Sequence, residues 1–263
     1  MRIHRLEFGA WTSSRVRRTA AEPPILFVHV PKTAGTSMRE MLQISLGKQA
    51  VYPNNRDIAR RADGLYPSQA EILRSFPTLR PYRVLIGHFV AGLAHALPVR
   101  HRTATMLRDP VQRSLSMLAH AERHLGVSPA AVLDSERLCA DLITDHQTRL
   151  LGADVPGDFA NSTDAGLDRA LRTVAAFDYV GITERFEQSC RLFDAVFGTG
   201  VSRCRVRANV LRPGGRGLEE LIPRIEPLVR RDRVLYETAC ARFERDFAAT
   251  ATLPEAGGSL RAA

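Results

Sequence analysis

Lysine is almost absent from this basic chain of 263 residues. Its 37 Lys and Arg outnumber 28 Asp and Glu, for a formal net charge of +9, yet only Lys32 and Lys48 are lysines. The positive charge attracts anionic partners without distinguishing a nucleic acid from a membrane lipid, a nucleotide or an acidic sugar. Lys48 follows Gly47 at a predicted helix end, where a cation beside the last carbonyl groups is expected. Lys32 has no such explanation, so it marks a candidate functional position.

Other scarcities exclude whole classes of protein. The four cysteines form no CxxC pair, which argues against a zinc knuckle or a redox dithiol and favours reduced thiols. No apolar run approaches the roughly eighteen residues that a membrane-spanning helix needs. Residues 1–21 lack the continuous apolar stretch of a secretory signal, so we expect an intracellular, cytoplasmic protein without a transmembrane segment. Aromatic residues make up only 6% and no basic stripe is interleaved with them, so we expect no nucleic-acid partner.

The pattern of apolar residues favours an α/β fold. Between about residues 25 and 248, apolar β-rich runs alternate with runs of helical period. This alternation is typical of a central, mostly parallel sheet flanked by crossover helices, which makes three layers. No linker divides the chain, so residues 1–263 are predicted to form one domain. Its core is expected at about residues 24–248, with loose segments at residues 1–22 and 249–263.

The first predicted strand covers residues 25–30 and is almost continuously apolar, as a central strand buried on both faces should be. A loop joins it to a helix that we expect to begin with Thr36 or Ser37 as its N-cap and to end at Gly47. Further strands are predicted at residues 83–88, 103–107, 179–183 and 204–210. Helices are predicted from near residues 68, 110, 129, 163 and 185, followed by two helical stripes at residues 221–228 and 236–247.

The loop after the first strand has the composition of an anion-binding site. A glycine allows a tight turn, free amides of the first helical turn point outward, hydroxyl groups can donate hydrogen bonds, and a lysine supplies a point charge. The lysine precedes the only glycine by three residues, so this is not a Walker A loop, and ATP with magnesium is not implied. An ordinary capped strand-to-helix turn is the alternative. The candidate residues are Pro31, Lys32, Thr33, Ala34, Gly35, Thr36 and Ser37.

A second candidate segment follows the strand predicted at residues 103–107. Arg108 stands at the carboxyl end of that strand, the edge where open parallel sheets bind ligands. Pro110 is well placed as the first residue of a helix. Ser116, two turns into that helix, can share an anion with Arg108 if the helix runs back alongside it. The alternative is that Arg108 and Asp109 only cap the helix.

These two segments closely resemble the nucleotide-binding signatures of the sulfotransferases, in particular the carbohydrate (heparan sulfate 2-O-sulfotransferase-like) branch. The matching stretches are residues 27–37, FVHVPKTAGTS, and residues 107–116, LRDPVQRSLS. Residues 145–152, DHQTRLLG, resemble the QTR stretch of the family, residues 179–186, YVGITERF, its late VGxTE strand, and residues 232–236, DRVLY, its closing DxxLY helix. The resemblance covers about residues 24–247.

The resemblance implies a three-layer P-loop-like fold and a donor, 3′-phosphoadenosine 5′-phosphosulfate (PAPS). In the family the first loop, here Lys32 to Ser37, holds the 5′-phosphosulfate, and the second segment, here Arg108 with Ser116, holds the 3′-phosphate. Lys32 is then expected to contact the bridging oxygen and to stabilise the departing product, 3′,5′-adenosine bisphosphate. The implied acceptor is the hydroxyl of a carbohydrate or glycosylated small molecule, and no metal is required.

In-line sulfuryl transfer also requires a base for the acceptor proton, near neutral pH and at the same sheet edge. We expect His88 in this role because Gly87-His88 matches the step that carries the catalytic histidine of the resembling branch. That branch often has another histidine two positions earlier, where this chain has Ile86. His29 is predicted to be a core histidine of the first strand. His120 and His124 stand one helical turn apart, but no third ligand suggests a metal site.

Several features leave alternatives open. Arg203, Arg205 and Arg207 alternate along a predicted strand, where they can hold an anion or protect a solvated edge. The glycine-rich stretch at residues 212–217 can fold over a nucleotide. A P-loop-like kinase and a non-catalytic polyanion-binding module are the competing functions. The sequence does not reveal the acceptor or the oligomeric state.

Overall fold

The computed structural model describes residues 22–62, 66–153, 162–204 and 218–251 of the chain. Its centre is a five-stranded sheet in the order β2-β3-β1-β4-β5, in which every neighbouring pair is parallel. Helices flank this sheet, so the expected α/β fold with a central parallel sheet is confirmed. The strands are β1 (Ile25–Val28), β2 (Val51–Tyr52), β3 (Val84–Gly87), β4 (Arg102–Leu107) and β5 (Tyr179–Ile182).

Strand β1 lies in the middle of the sheet and is fully buried. Phe27 is paired with Ile86 of β3 on one side and with Ala104 of β4 on the other. Because all the strands run in the same direction, their carboxyl ends meet at one edge of the sheet. The loops that follow β1, β3, β4 and β5 are therefore brought together there.

The helices cover both faces of the sheet and extend beyond it. A second, smaller apolar cluster runs along the helix after β4, from Val111 to Ala121, and joins it to later parts of the chain through Val132, Ile143 and Ile225. In the described residues no helix is long and apolar enough to cross a membrane. The helices are α1 (Gly35–Leu46), α2 (Asn55–Ala59), α3 (Gln69–Ser75), α4 (Leu93–Ala96), α5 (Pro110–Leu125), α6 (Pro129–Asp134), α7 (Glu136–Leu142), α8 (His146–Leu151), α9 (Asp164–Ala176), α10 (Phe186–Phe197), α11 (Ile222–Ile225) and α12 (Arg230–Ala251).

Local signals placed most element starts correctly. Ser68, Ser128 and Thr163 cap α3, α6 and α9 through their side chains, and Pro110 is the first residue of α5. The N-cap predicted for α1 at Thr36 or Ser37 is wrong. The helix begins at Gly35, after Ala34 in a left-handed conformation (φ 63°), with no side-chain cap. The backbone itself turns into the helix here.

Other boundaries differ in ways that follow from weak local signals. Cys204 is irregular and follows a short 3-10 helix, Val201–Arg203, while the rest of the strand predicted at residues 204–210 lies outside the described residues. Helix α12 continues to Ala251, three residues into the predicted loose tail. No element was predicted between residues 49 and 67, where the structure contains β2 and α2.

Candidate functional site

A cavity of about 1210 Å³ opens at the carboxyl edge of the sheet. Following the strand order, its floor carries His88 after β3, the loop at residues 31–37 after β1, Arg108 after β4, and Thr183 with Glu184 after β5. Helix α5 adds Ser116. Among the residues predicted to bind or react, only Thr33 does not line this cavity. The cavity wall contains Lys32, Ala34, Gly35, Thr36, Ser37, His88, Arg108 and Ser116.

The loop after β1 has an unusual backbone. Lys32 (φ 71°) and Ala34 (φ 63°) both adopt left-handed conformations, which residues other than glycine seldom adopt. Thr33 between them is buried, and its hydroxyl donates a hydrogen bond of 2.8 Å to the carbonyl oxygen of Val30. Its side chain therefore holds the loop in shape and is not available to a ligand. Thr36 and Ser37 are the hydroxyl groups that face the cavity.

Lys32 lies in a positively charged environment. Burial lowers the pKa of its amine, and the neighbouring cations Arg108, Arg123 and Arg113 lower it further. No carboxylate of the described residues lies within ion-pair distance of Lys32. A cation held among other cations, without a protein counter-ion, is poised to bind an anion.

Arg108 connects the two predicted anion-binding segments. Its Nη1 donates to the carbonyl oxygen of Lys32 at 3.3 Å, and its Nε lies 3.8 Å from Glu184 Oε1. Burial lowers the pKa of the guanidinium, while Glu184 opposes that shift. The side chain is thus held between the loop and β5. Ser116 lines the same cavity from α5, as the sequence predicted.

His88 is oriented as a proton acceptor. Its Nδ1 lies 2.9 Å from the carbonyl oxygen of His29. A carbonyl oxygen can only accept, so Nδ1 carries the proton and Nε2 keeps its lone pair. The ring is exposed to the cavity, but its recessed position lowers the pKa through desolvation; the hydrogen bond to His29 opposes this, and Arg39 and Lys32 lower it further. His88 is therefore neutral near pH 7.

His29 is not simply a histidine of the strand interior, as we expected from the sequence. It follows the end of β1, is only 6% exposed and lines the cavity. Its ring centroid lies 4.5 Å from that of His88. Burial, followed by His88, Arg39 and Lys32, lowers the pKa of His29 well below its usual value. The sequence signal that was missed is register, because β1 and β3 pair residue 28 with residue 87 and so bring residues 29 and 88 together.

Two further groups of cavity residues were not assigned to the site from the sequence. His120, Arg123 and His124 extend the line that begins with Ser116 along α5. Their spacings of three and four residues are those of one helix face, so periodicity alone could have found them. Tyr66 lies just before α3, at a position to which the sequence assigned no role. Its ring meets the ring of His88 edge-on at 5.7 Å and lies 4.7 Å from the Arg39 guanidinium.

The cavity is rich in cations. Five cationic and two acidic side chains line it, besides four histidines. Within the described ranges, no three His, Cys, Asp or Glu side chains group as metal ligands. Arg203 is exposed and lies outside the cavity wall, while Arg205, Arg207 and residues 212–217 are not among the residues described. The cations are Lys32, Arg108, Arg123, Arg185 and Arg191, and the acids are Glu184 and Glu187.

Segments that are far apart in sequence are joined by hydrogen bonds at the wall of this cavity. Thr183 Oγ1 donates to the carbonyl oxygen of Leu107 at 2.9 Å, and Glu184 Oε1 accepts from the amide of Asp109 at 3.1 Å. The hydroxyl of Tyr236 donates to the other Glu184 oxygen at 2.9 Å. Three of the stretches that resemble the sulfotransferases therefore form one hydrogen-bonded unit.

Comparison with known proteins adds no name to this arrangement. No protein-family model matches the chain, and a search of curated proteins finds no match.

Proposed function

We propose that this chain is a PAPS-dependent sulfotransferase that transfers a sulfuryl group to a hydroxyl of a carbohydrate or glycosylated small molecule. The observation that carries the proposal is the placement of Lys32 and His88 in one cavity. The loop that carries Lys32 lines the same cavity as the imidazole of His88, whose Nε2 makes no hydrogen bond within the described residues. The reaction needs these two groups together, one for the departing negative charge and one for the acceptor proton.

The cavity fits the donor in charge and in size. PAPS carries two phosphates and a sulfate, and five cations face only two acids across the cavity. Lys32 and the loop from Ala34 to Ser37 would hold the phosphosulfate end, and Arg108 with Ser116 would hold the 3′-phosphate. A volume of about 1210 Å³ also leaves space for an acceptor beside His88 and Tyr66.

In this proposal each residue has a defined task. When bound, PAPS supplies the activated sulfuryl group. His88 Nε2 accepts the proton of the acceptor hydroxyl as that oxygen attacks, and Nδ1 remains bonded to the His29 carbonyl oxygen. The Lys32 ammonium and the amides at the start of α1 stabilise the negative charge that develops on the leaving phosphate.

The structure offers less support for the competing kinase function. The two cavity carboxylates are Glu184 and Glu187. Glu184 already accepts hydrogen bonds from the Asp109 amide and the Tyr236 hydroxyl, and it lies beside Arg108. A magnesium nucleotide would have to disrupt these contacts or rely on one carboxylate.

The first experiment is thermal stabilisation of the purified chain by 3′,5′-adenosine bisphosphate, compared with ATP and magnesium. A ligand that binds only the native state raises the melting temperature. We expect the bisphosphate to raise the melting temperature of the native chain. Lys32→Ala should reduce this rise, and Lys48→Ala should leave the rise unchanged. A shift only with ATP and magnesium would overturn the proposal in favour of a kinase.

Transfer itself is then measured with sulfur-labelled PAPS and a panel of sugar acceptors. His88→Ala should abolish transfer while the bisphosphate still binds. Loss of bisphosphate binding in this variant would make His88 structural. Binding that falls steeply with salt and is equal for any polyanion would instead support the polyanion-binding module.

A further inference from the structure

The backbone of the turn that carries Arg108 is held by a side chain from a distant segment. Gln147 Oε1 accepts a hydrogen bond from the Arg108 amide at 3.1 Å, and Gln147 Nε2 donates to the Arg108 carbonyl oxygen at 2.9 Å. Arg108 follows the last residue of β4 and is separated from the first residue of α5 only by the N-cap Asp109. Its two backbone polar groups are thus satisfied by one side-chain amide.

The position of Gln147 is itself fixed by hydrogen bonds between the start of α8 and the start of α12. Its side chain is fully buried, as is that of Asp232. The Asp232 carboxylate accepts from the amides of Gln147, at 3.2 Å, and Thr148, at 2.7 Å, at the start of α8. In return, the carboxylate of Asp145 accepts from the amides of Arg231 and Asp232, at 2.9 and 3.1 Å, at the start of α12. Each segment caps the other, so Gln147 has little freedom to move.

The guanidinium of Arg108 depends on this support. Glu184 lies beside its Nε and the Lys32 carbonyl oxygen accepts from its Nη1, while Nη2 makes no hydrogen bond to the described residues. Nη2 is the part left for a ligand anion. The Arg108 side chain can direct Nη2 at a ligand anion only if its Cα atom stays in place. The position of that Cα atom is set by the Arg108 amide and carbonyl groups that Gln147 holds.

We propose that Gln147 is a positioning residue that sets the Arg108 guanidinium for the anion on the 3′ side of the nucleotide. This inference rests on the proposed function for the identity of its ligand. Gln147 does not line the cavity, so its effect must pass through Arg108. Its loss should therefore weaken ligands with a 3′-phosphate and spare those without one.

The test is a double-mutant cycle on binding of 3′,5′-adenosine bisphosphate and adenosine 5′-monophosphate. Gln147→Met keeps the side-chain length but removes both hydrogen bonds. In Gln147→Met we expect the dissociation constant of the bisphosphate to rise about fivefold to thirtyfold and that of the monophosphate to stay unchanged. In an Arg108→Ala background the same substitution should have no further effect.

The matched control is Gln43→Met on α1. Gln43 is also buried, its Nε2 has no hydrogen-bond partner, and it lies outside the cavity wall. This change should leave both dissociation constants unaltered. If Gln147→Met does not fold, Gln147→Asn is the second variant, because it keeps a neutral side-chain amide but is one methylene too short to hold both backbone groups of Arg108.

The possible outcomes separate the two proposals. Equal losses for both nucleotides, or additive losses in the Arg108→Ala background, would overturn the positioning role. If the native chain binds no bisphosphate, the proposed function fails, and positioning is read from the Arg108 Nε–H resonance in nuclear magnetic resonance spectra. That resonance should shift in Gln147→Met and stay unchanged in Gln43→Met; an unshifted resonance in Gln147→Met would overturn the inference.

Discussion

The rings of His29 and His88 lie with their centroids 4.5 Å apart and their planes tilted by 30°. They follow the ends of two adjacent parallel strands, where the His29 amide also donates to the Gly87 carbonyl oxygen at 2.8 Å. On its other side the His29 ring fills the space beside Gly35. One buried side chain therefore touches both the anion-binding loop and the candidate base.

Substitution of Gly35 tests this contact. A Cβ atom at Gly35 would lie 2.0 Å from His29 Cδ2, far inside van der Waals contact. We expect Gly35→Ala to lower the free energy of unfolding by about 1–3 kcal/mol through overpacking. Urea unfolding measures the change, and bisphosphate binding should weaken as the ring is displaced. Adding His29→Ala should restore stability, whereas a double variant as unstable as Gly35→Ala would show that the ring is not the obstacle.

The pH dependence of transfer tests the environment of His88. Burial lowers the pKa of His88, the hydrogen bond to His29 opposes this shift, and Arg39 and Lys32 lower the pKa further, so the midpoint of the acid limb of kcat/KM should lie below pH 6.5. Arg39→Met removes one cation and should move the acid limb to higher pH. Arg137→Met, at an exposed position on α7, should leave it in place. A midpoint of the acid limb at or above pH 6.5 in the native chain contradicts this environment.

Lys32 is predicted to favour function at the expense of stability. Its left-handed backbone is unfavourable for a lysine by about 1 kcal/mol, whereas asparagine tolerates this conformation. Lys32→Asn also removes a cation that faces Arg108. We expect the free energy of unfolding to rise by about 1 kcal/mol while bisphosphate affinity falls more than about tenfold. Lys48→Asn, the matched change at the other lysine, should alter neither; a destabilised Lys32→Asn would refute the argument from strain.

Buried neutral histidines should make the fold sensitive to acid. Burial lowers the pKa of both His29 and His146 well below 6.5. Below pH 6.5 the unfolded chain therefore binds more protons than the folded chain, and stability falls as the pH falls. Two such groups give a slope of about 2.7 kcal/mol per pH unit. Burial raises the pKa of Asp232 to about 6, which opposes this slope by one proton between about pH 4 and pH 6.

Urea unfolding at a series of pH values measures that slope. His146→Gln should reduce the slope by the contribution of one proton, about 1.4 kcal/mol per pH unit. The substitution removes the titrating ring and keeps a polar side chain. A slope that is unchanged in this variant would show that His146 does not contribute.

The sequence allowed the parts of the site with strong local signals to be predicted. The apolar run of β1, the proline at the start of α5 and the helical period that brings Ser116 to the cavity are all local features. The start of α1 was missed because a left-handed Ala34, with no side-chain cap, begins the helix. Strand β2 has only two residues, which is too short for a period of two to be visible.

The remaining differences concern tertiary contacts. His29 is surrounded in sequence by apolar residues, and only the pairing of β1 with β3 shows that it meets His88. In the same way, the roles of Gln147 and Asp232 depend on the meeting of α8 with the start of α12. Neither helix carries a local mark of that contact.

The strand order divides the chemistry of the chain in a simple way. Strands β2 and β3, from the first hundred residues, lie on one side of β1, while β4 and β5, from later in the chain, lie on the other. The candidate base His88 therefore belongs to one contiguous stretch of sequence and Arg108 with Ser116 to another, with the loop of Lys32 between them. Changes between β2 and β3 can alter the surroundings of His88 while the residues that hold Arg108 stay the same. Under the proposed function, such a chain can acquire a new acceptor while the residues expected to hold the donor stay the same.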